Sequence, residues 1–135
     1  MTKLPKIVAV INIAAGALMI VLGVATYYLV QRELADENIV VSDDADFLAG
    51  DEVDGPFSAY AQAMVIGKHA EDIGGGKTYA ELPQDDPARD SVMTASFLQA
   101  SLFTSVVAFG VAAMAFVLGI VLALTGRVMM HVSRE

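Results

Sequence analysis

The side chains that most often catalyse reactions or bind metals are few in this sequence. It has no cysteine and only two histidines, His69 and His131. Cysteine nucleophiles, thiolate metal sites and disulfides are therefore excluded, because each requires cysteine sulfur. A haem held by two histidines, or an iron held by two histidines and a carboxylate, requires both histidines in one site.

An acidic run in the middle of the chain offers oxygen ligands. It comprises Asp43, Asp44, Asp46, Asp51, Glu52 and Asp54. Calcium takes six to eight oxygens, but this run lacks the glycine and the terminal glutamate at the positions that an EF-hand requires. We interpret the run as a solvated acidic surface or one that meets a basic partner, and a cation site stays open as the alternative.

Other patterns that resemble catalytic motifs are incomplete. The glycines at 74–76, followed by Lys77, lack the upstream glycine and the preceding strand of a phosphate-binding loop. The sequence contains no Gly-Xaa-Ser-Xaa-Gly turn, so a hydrolytic triad has no support. An enzyme would need an unrecognised site around His69, Glu71 and Asp72. We predict no enzymatic activity, no catalytic residue, no metal site and no cofactor.

The elements that would position any site are dominated by two apolar blocks. Hydrophobic residues make up 56% of the 135 residues, and the mean hydropathy is +0.58. Residues 7–30 and 91–126 carry no charge, whereas about 20 apolar residues suffice to cross the hydrocarbon of a bilayer. Lipid offers no hydrogen-bond partner to the backbone, so such blocks must be helical. The sequence therefore predicts an all-α integral membrane protein whose two helices form a transmembrane hairpin.

The distribution of charge predicts the orientation of this hairpin. The two ends of the chain hold four basic residues against the single acid Glu135, whereas 32–96 holds fifteen acids against four bases. Cytoplasmic segments carry the excess of Lys and Arg. We therefore expect both termini in the cytoplasm and an extracytoplasmic loop with a charge near −11, which would repel the phosphates of nucleic acid.

The predicted segments follow from these blocks and from the helix signals between them. They are a cytoplasmic tail (1–6), transmembrane helix 1 (7–30), an acidic, helical extracytoplasmic loop (31–86), a long helix (87–130) that contains transmembrane helix 2 (about 100–125), and a second cytoplasmic tail (131–135). Within the loop we predict a turn from Ser42 to Gly50, a helix that begins after Gly55, and a capping box at Thr78 and Glu81. The alternative for the first block is a cleaved secretion signal.

Small residues at regular spacing predict how the apolar helices pack. In the first helix, Ala9, Gly16 and Gly23 recur every seven residues, with Asn12 on nearly the same face. The second helix carries a ridge of small residues: Ser101, Thr104, Ala108, Ala112, Ala115, Gly119 and Ala123. Such ridges allow close contact between helices in lipid, either with the other helix of this chain or with a helix of a partner. In the loop, Phe57, Tyr60 and Met64 share a helix face that we predict to contact a partner.

Four stretches of the sequence resemble a family of small actinobacterial membrane proteins with two transmembrane helices. They are residues 35–47, 55–63 (GPFSAYAQA), 76–82 (GKTYAEL) and 95–112 (ASFLQASLFTSVVAFGVA). Members of this family often carry the name of an aromatic ring-opening dioxygenase, an enzyme whose soluble forms hold iron with two histidines and a carboxylate. Because His69 and His131 lie on opposite sides of the predicted hairpin, we do not expect that activity here.

The resemblance, the size and the topology together lead to an expected role. Mycobacteria and their relatives add small membrane subunits to their cytochrome bcc–aa3 respiratory supercomplex. We therefore expect a non-catalytic accessory or stabilising subunit in the bacterial plasma membrane, with respiratory cytochromes and the lipid bilayer as partners. The alternative is a homo-oligomeric membrane module whose acidic loop captures a cation, a basic peptide or a component of the cell envelope.

Overall fold

Long uncharged stretches without a helix breaker produce two of the three helices of this chain. A computed structural model describes residues 3–133, and the parts of the predicted tails at residues 1–2 and 134–135 lie outside the described residues. The helices are α1 (Leu4–Asp36), α2 (Pro56–Ile73) and α3 (Arg89–Val132). Residues 3–133 contain no strand, only an isolated antiparallel bridge between Val40 and Glu52. The prediction of an all-helical chain is confirmed.

Helices α1 and α3 are long and apolar enough to cross a membrane, by length and composition. With 33 and 44 residues, they extend for about 50 and 66 Å, which exceeds the hydrocarbon thickness of about 30 Å. Helix α1 continues six residues beyond the predicted transmembrane segment. Helix α3 begins two residues after the predicted start at Pro87, because the Asp86 carboxylate and carbonyl bind the N–H groups of Ala88 and Arg89 in a turn.

The chain divides into two compact units. The hairpin unit consists of the residues up to Leu29 and those from Ala108 onwards, so it contains most of α1 and the second half of α3. The loop unit is Val30–Val107, with α2 at its centre. Each unit has its own buried side chains: Ala9, Phe109 and Ala112 in the first, and Val41, Val53, Ala59 and Ala63 in the second.

The segment between α1 and α2 is ordered by turns, including the predicted turn from Ser42 to Gly50. Residues 37–55 contain no helix, so the prediction of a helical loop is wrong for this part of it. The N–H of Val41 donates to the carbonyl of Asp51, and the N–H of Gly50 donates to the carbonyl of Val41, both at 2.9 Å. Gly50 closes this turn at φ +83°, a conformation that glycine adopts without steric cost. Short acidic stretches with several Asp residues favour such turns over helix, because their side chains compete for backbone groups.

Helix α2 begins where the sequence predicts, after Gly55. The hydroxyl of Ser58 accepts hydrogen bonds from the N–H groups of Asp54 and Gly55 and donates one to the Gly55 carbonyl, each at 3.2 Å. Pro56 occupies the first turn, where a missing N–H costs nothing. Ser58 itself is buried, so this network fixes the start of α2 inside the loop unit.

The chain returns from α2 to α3 through a glycine-rich turn and a short polar segment. Gly75 and Gly76 adopt positive φ values of 61° and 81°. The predicted capping box is present in one half, since the Glu81 carboxylate accepts a hydrogen bond of 2.8 Å from the Thr78 N–H. The Arg89 guanidinium lies 4.1 Å from the centre of the Tyr79 ring and anchors this segment to the start of α3.

Candidate functional surfaces

The hairpin unit is held together by small residues that recur every seven positions in both helices. Gly16 lies against Gly119 and Ala123, and Gly23 lies against Ala112 and Phe116. Farther along the helices, Gly126 meets Ala9 and Ile13. The contacts Ala9 with Gly126, Gly16 with Gly119, and Gly23 with Ala112 define an antiparallel packing in which the two backbones nearly touch, as small residues allow in lipid.

Part of the predicted ridge of α3 takes part in this packing. Ala112, Gly119 and Ala123 contact α1 within the hairpin unit, and Ala108 and Ala115 are half-buried beside them. In the loop unit, Ser101 and Thr104 are exposed, and the Thr104 hydroxyl donates back to the Ala100 carbonyl. Within the hairpin unit, the packing against α1 thus uses Ala112, Gly119 and Ala123 of the predicted ridge.

Two residues of the helix contact did not emerge from the sequence argument. Phe109 is 1% exposed, and its ring meets that of Tyr27 edge to face at 4.7 Å between centroids. Gly126 is buried and extends the seven-residue series of Ala112 and Gly119 by one further step. This seven-residue spacing is visible in the sequence, whereas the predicted ridge follows spacings of three and four residues and ends at Ala123.

Asn12 occupies the hairpin contact but makes only a weak interaction there. Its Nδ2 lies 3.9 Å from the sulfur of Met129, and the residue is half-buried. Thioether sulfur is a weak acceptor, so this contact contributes little to holding α1 and α3 together.

The three predicted contact residues of α2, Phe57, Tyr60 and Met64, are all exposed. Tyr60 and Met64 line an open groove of about 840 Å³ in the loop unit, whereas Phe57 lines a different groove nearer the start of α2. Tyr60 is also held by aromatic neighbours, with centroid distances of 6.2 Å to Phe47 and 5.9 Å to Phe103. Phe47 lines both grooves. It is not among the predicted contact residues, because it lies in the turn segment and shares no helix face with them.

Two side chains of α2, His69 and Lys68, contact the acidic segment. The His69 Nε2 hydrogen donates to the Asp44 carboxylate at 2.7 Å, and Lys68 lies 3.7 Å from Asp46. The hydrogen bond from His69 lowers the pKa of Asp44, with smaller contributions in the same direction from a backbone hydrogen bond and the charge of Lys68. Two of the six acids in the run are thus engaged by residues of this chain.

The groups considered for catalysis are not assembled around His69. The hydrogen-bond partner of His69 is Asp44, and not Glu71 or Asp72, which an enzymatic site would have required. Glu71 lines the groove that Tyr60 and Met64 line, whereas His69 lines another one. His131 is exposed near the end of α3 in the hairpin unit. Within residues 3–133, no three His, Asp or Glu side chains are arranged to hold a metal ion.

Comparison with known proteins identified no relative of this chain. No protein-family model, curated protein or solved structure matches the chain.

Proposed function

We propose that this chain is a non-catalytic accessory subunit of a larger plasma-membrane complex in an actinobacterium, namely the cytochrome bcc–aa3 respiratory supercomplex. Both termini would lie in the cytoplasm and the loop unit outside, as the excess of Lys and Arg near the termini favours. The chain would stabilise the complex by packing against it rather than by carrying out chemistry.

The observation that carries this proposal is the apolar surface that α1 and α3 leave uncovered. In each helix, only 17% of the most apolar 18-residue window is buried within the chain. A core helix of a soluble protein buries most of such a window, whereas a membrane helix leaves it to lipid or to neighbouring helices. Large side chains such as Leu18, Val21, Met114 and Leu124 are all more than half exposed.

The packing of the hairpin unit indicates which faces are left for a partner. Gly16 and Gly23 are covered by α3, so the small faces of the hairpin are used within the chain. A partner's helices would instead contact the outward faces with large aliphatic side chains. Such contact relies on van der Waals packing and on exclusion of lipid, which suits a subunit that stabilises a larger bundle.

The respiratory assignment depends on the resemblance of residues 95–112 and of the three shorter stretches to the actinobacterial family. These stretches include the start of α2 and the first half of α3. In the loop unit, Phe57 is 74% exposed and lines one groove with the exposed Phe47 and Leu48, and a group of exposed apolar side chains is typical of a contact surface.

A gentle-detergent purification of the tagged chain from its native membrane tests the proposal. Mass spectrometry and a visible absorption spectrum of the eluate would be recorded together. We expect co-purified haem proteins with the absorption bands of b-, c- and a-type cytochromes. A colourless eluate that contains only this chain would refute the respiratory role and favour the homo-oligomeric binding module, and a colourless eluate with other membrane proteins would retain an accessory role in a different complex.

A further inference from the structure

The groove at the start of α2 combines apolar side chains with negative charge. We call it the acidic groove; it has a volume of about 740 Å³ and is lined by Phe47, Leu48, Asp51, Glu52, Asp54, Gly55, Pro56, Phe57 and Ser58. It lies entirely within the loop unit, between the turn segment and the first turn of α2. The groove adjoins the larger one that Tyr60 and Met64 line, and Phe47 lines both.

Three large apolar side chains of the acidic groove are exposed. Phe57 is the most exposed aromatic residue among those described, at 74%, and Phe47 and Leu48 are exposed at 42% and 38%. Leu48 adopts φ +55°, a region that is sterically unfavourable for a residue with a side chain. Exposed side chains of this kind, gathered around a concave surface, are typical of a site that a partner covers.

The charges around these side chains indicate which kind of molecule can bind in the acidic groove. Asp51, Glu52 and Asp54 are exposed, and the nine lining residues include no Lys, Arg or His. An anionic lipid surface would be repelled by these carboxylates. A second copy of this chain would be repelled as well, because the loop unit holds fifteen acids against four basic residues. A segment that carries Lys or Arg beside an apolar side chain is complementary to both features of the groove.

We infer that the acidic groove binds a segment of the partner complex in which one or more basic residues flank an apolar anchor. The anchor packs against Phe57 and Phe47, and the basic residues face Asp51 and Glu52. This inference rests on the proposed function, since it names the recognition surface through which the accessory subunit contacts its partner outside the membrane.

Two variants with a matched control test the inference in the full-length, membrane-embedded chain. The first is Phe57→Ala, which removes the exposed ring, and the second is the double variant Asp51→Asn with Glu52→Gln. The control is Glu37→Gln with Asp85→Asn, which removes one Glu and one Asp from exposed positions outside the groove. All five side chains are exposed, so these substitutions leave the folded core intact.

The readout is photo-cross-linking in native membranes, with a benzophenone amino acid at position 57. The cross-linked peptide is sequenced, and its yield is measured at low and at high salt. For the second variant, loss of two exposed charge pairs predicts a yield about three- to tenfold lower. We expect high salt to lower the cross-linking yield by a similar factor, because it screens exposed charges. For Phe57→Ala, we expect an approximately tenfold loss of affinity in the purification assay.

The outcomes distinguish this inference from the proposed function. It is supported if the probe at position 57 joins a Lys- or Arg-containing segment of a protein that also co-purifies, and if the yield depends on Asp51 and Glu52 but not on the control pair. It is overturned if the probe captures lipid, a second copy of this chain or a segment without basic residues, or captures nothing while co-purification persists. If the chain without substitutions does not co-purify with the cytochromes, the proposed function itself is refuted.

Discussion

Gly16 and Gly119 leave no space for a side chain between them. An ideal Cβ atom on Gly16 would lie 2.5 Å from the carbonyl oxygen of Gly119, and one on Gly119 would lie 2.7 Å from the carbonyl oxygen of Gly16. Both distances are below van der Waals contact, and the atoms in the way belong to the backbone. The close approach of α1 and α3 in the hairpin unit therefore depends on glycine at both positions.

The first prediction concerns Gly16→Ala. The added methyl group must push the two helices apart, so we expect it to lower the free energy of unfolding by about 1–3 kcal/mol, as overpacking of a tight interface does. Gly110 is the matched control, because a Cβ there meets nothing within 4 Å. Gly110→Ala is expected to leave the stability unchanged or to raise it. Thermal unfolding followed by circular dichroism in mild detergent compares the two, and equal effects would show that the glycine contact is not important.

The packing of the hairpin unit could be predicted in part from the sequence. The seven-residue series of Ala9, Gly16 and Gly23 selects the face of α1 that meets α3, because small residues permit close approach. The face of α3 that packs against α1 is harder to predict, since a 44-residue helix with many small residues offers more than one such ridge. Which ridge packs is decided by the register of two helices that are joined through a long loop, and the sequence does not specify that register.

The second prediction concerns the start of α2. Replacing Ser58 by alanine removes the acceptor for the Asp54 and Gly55 N–H groups, and we expect a cost of about 1–2 kcal/mol, as for other lost helix caps. Hydrogen exchange of these two amides in the detergent-solubilised chain should accelerate. Ser91→Ala, at an exposed position of α3, serves as control. Unchanged protection of both amides in the Ser58 variant would contradict the role of this network.

The third prediction concerns pH. Because the hydrogen bond from His69 lowers the pKa of Asp44 in the folded chain, this pair contributes stability that is fully present above the ordinary aspartate pKa of about 4. The contribution is lost as the pH falls from there through the lowered pKa. We expect hydrogen exchange in residues 39–53 to increase over that window. Asp44→Asn should reduce this dependence, whereas Asp43→Asn, at an exposed neighbouring position, should preserve it; identical profiles for both variants would contradict the prediction.

Most contacts within the loop unit could not be predicted from the sequence. The beginning of α2 follows from local signals, because Gly55, Pro56 and Ser58 act within one helical turn. Asp44 and His69 are 25 residues apart, and no local pattern pairs them. Similarly, the acidic groove forms because the turn segment brings Phe47 and Leu48 beside Phe57, and that arrangement depends on long-range packing around Val41 and Val53.

The fourth prediction concerns topology. The native chain has no cysteine, so single cysteines at Ser42, Lys77 and Ser133 can be labelled one at a time. In intact cells, a membrane-impermeant maleimide should label the first two positions, which are in the proposed extracytoplasmic loop. Ser133→Cys should react only after the membrane is permeabilised. Labelling of all three positions in intact cells, or the reverse pattern, would contradict the proposed orientation.

The most direct test of the accessory role is to purify the proposed partner complex through a tag on one of its own subunits. A tag on a haem-containing subunit of the bcc–aa3 supercomplex, with mild detergent and quantitative mass spectrometry, measures how much of this chain accompanies the cytochromes. We predict a constant ratio of this chain to the tagged subunit throughout gel filtration, and reduced retention of the Phe57→Ala variant. Absence of this chain from the cytochrome fractions, while it remains abundant in the membrane, would contradict the account.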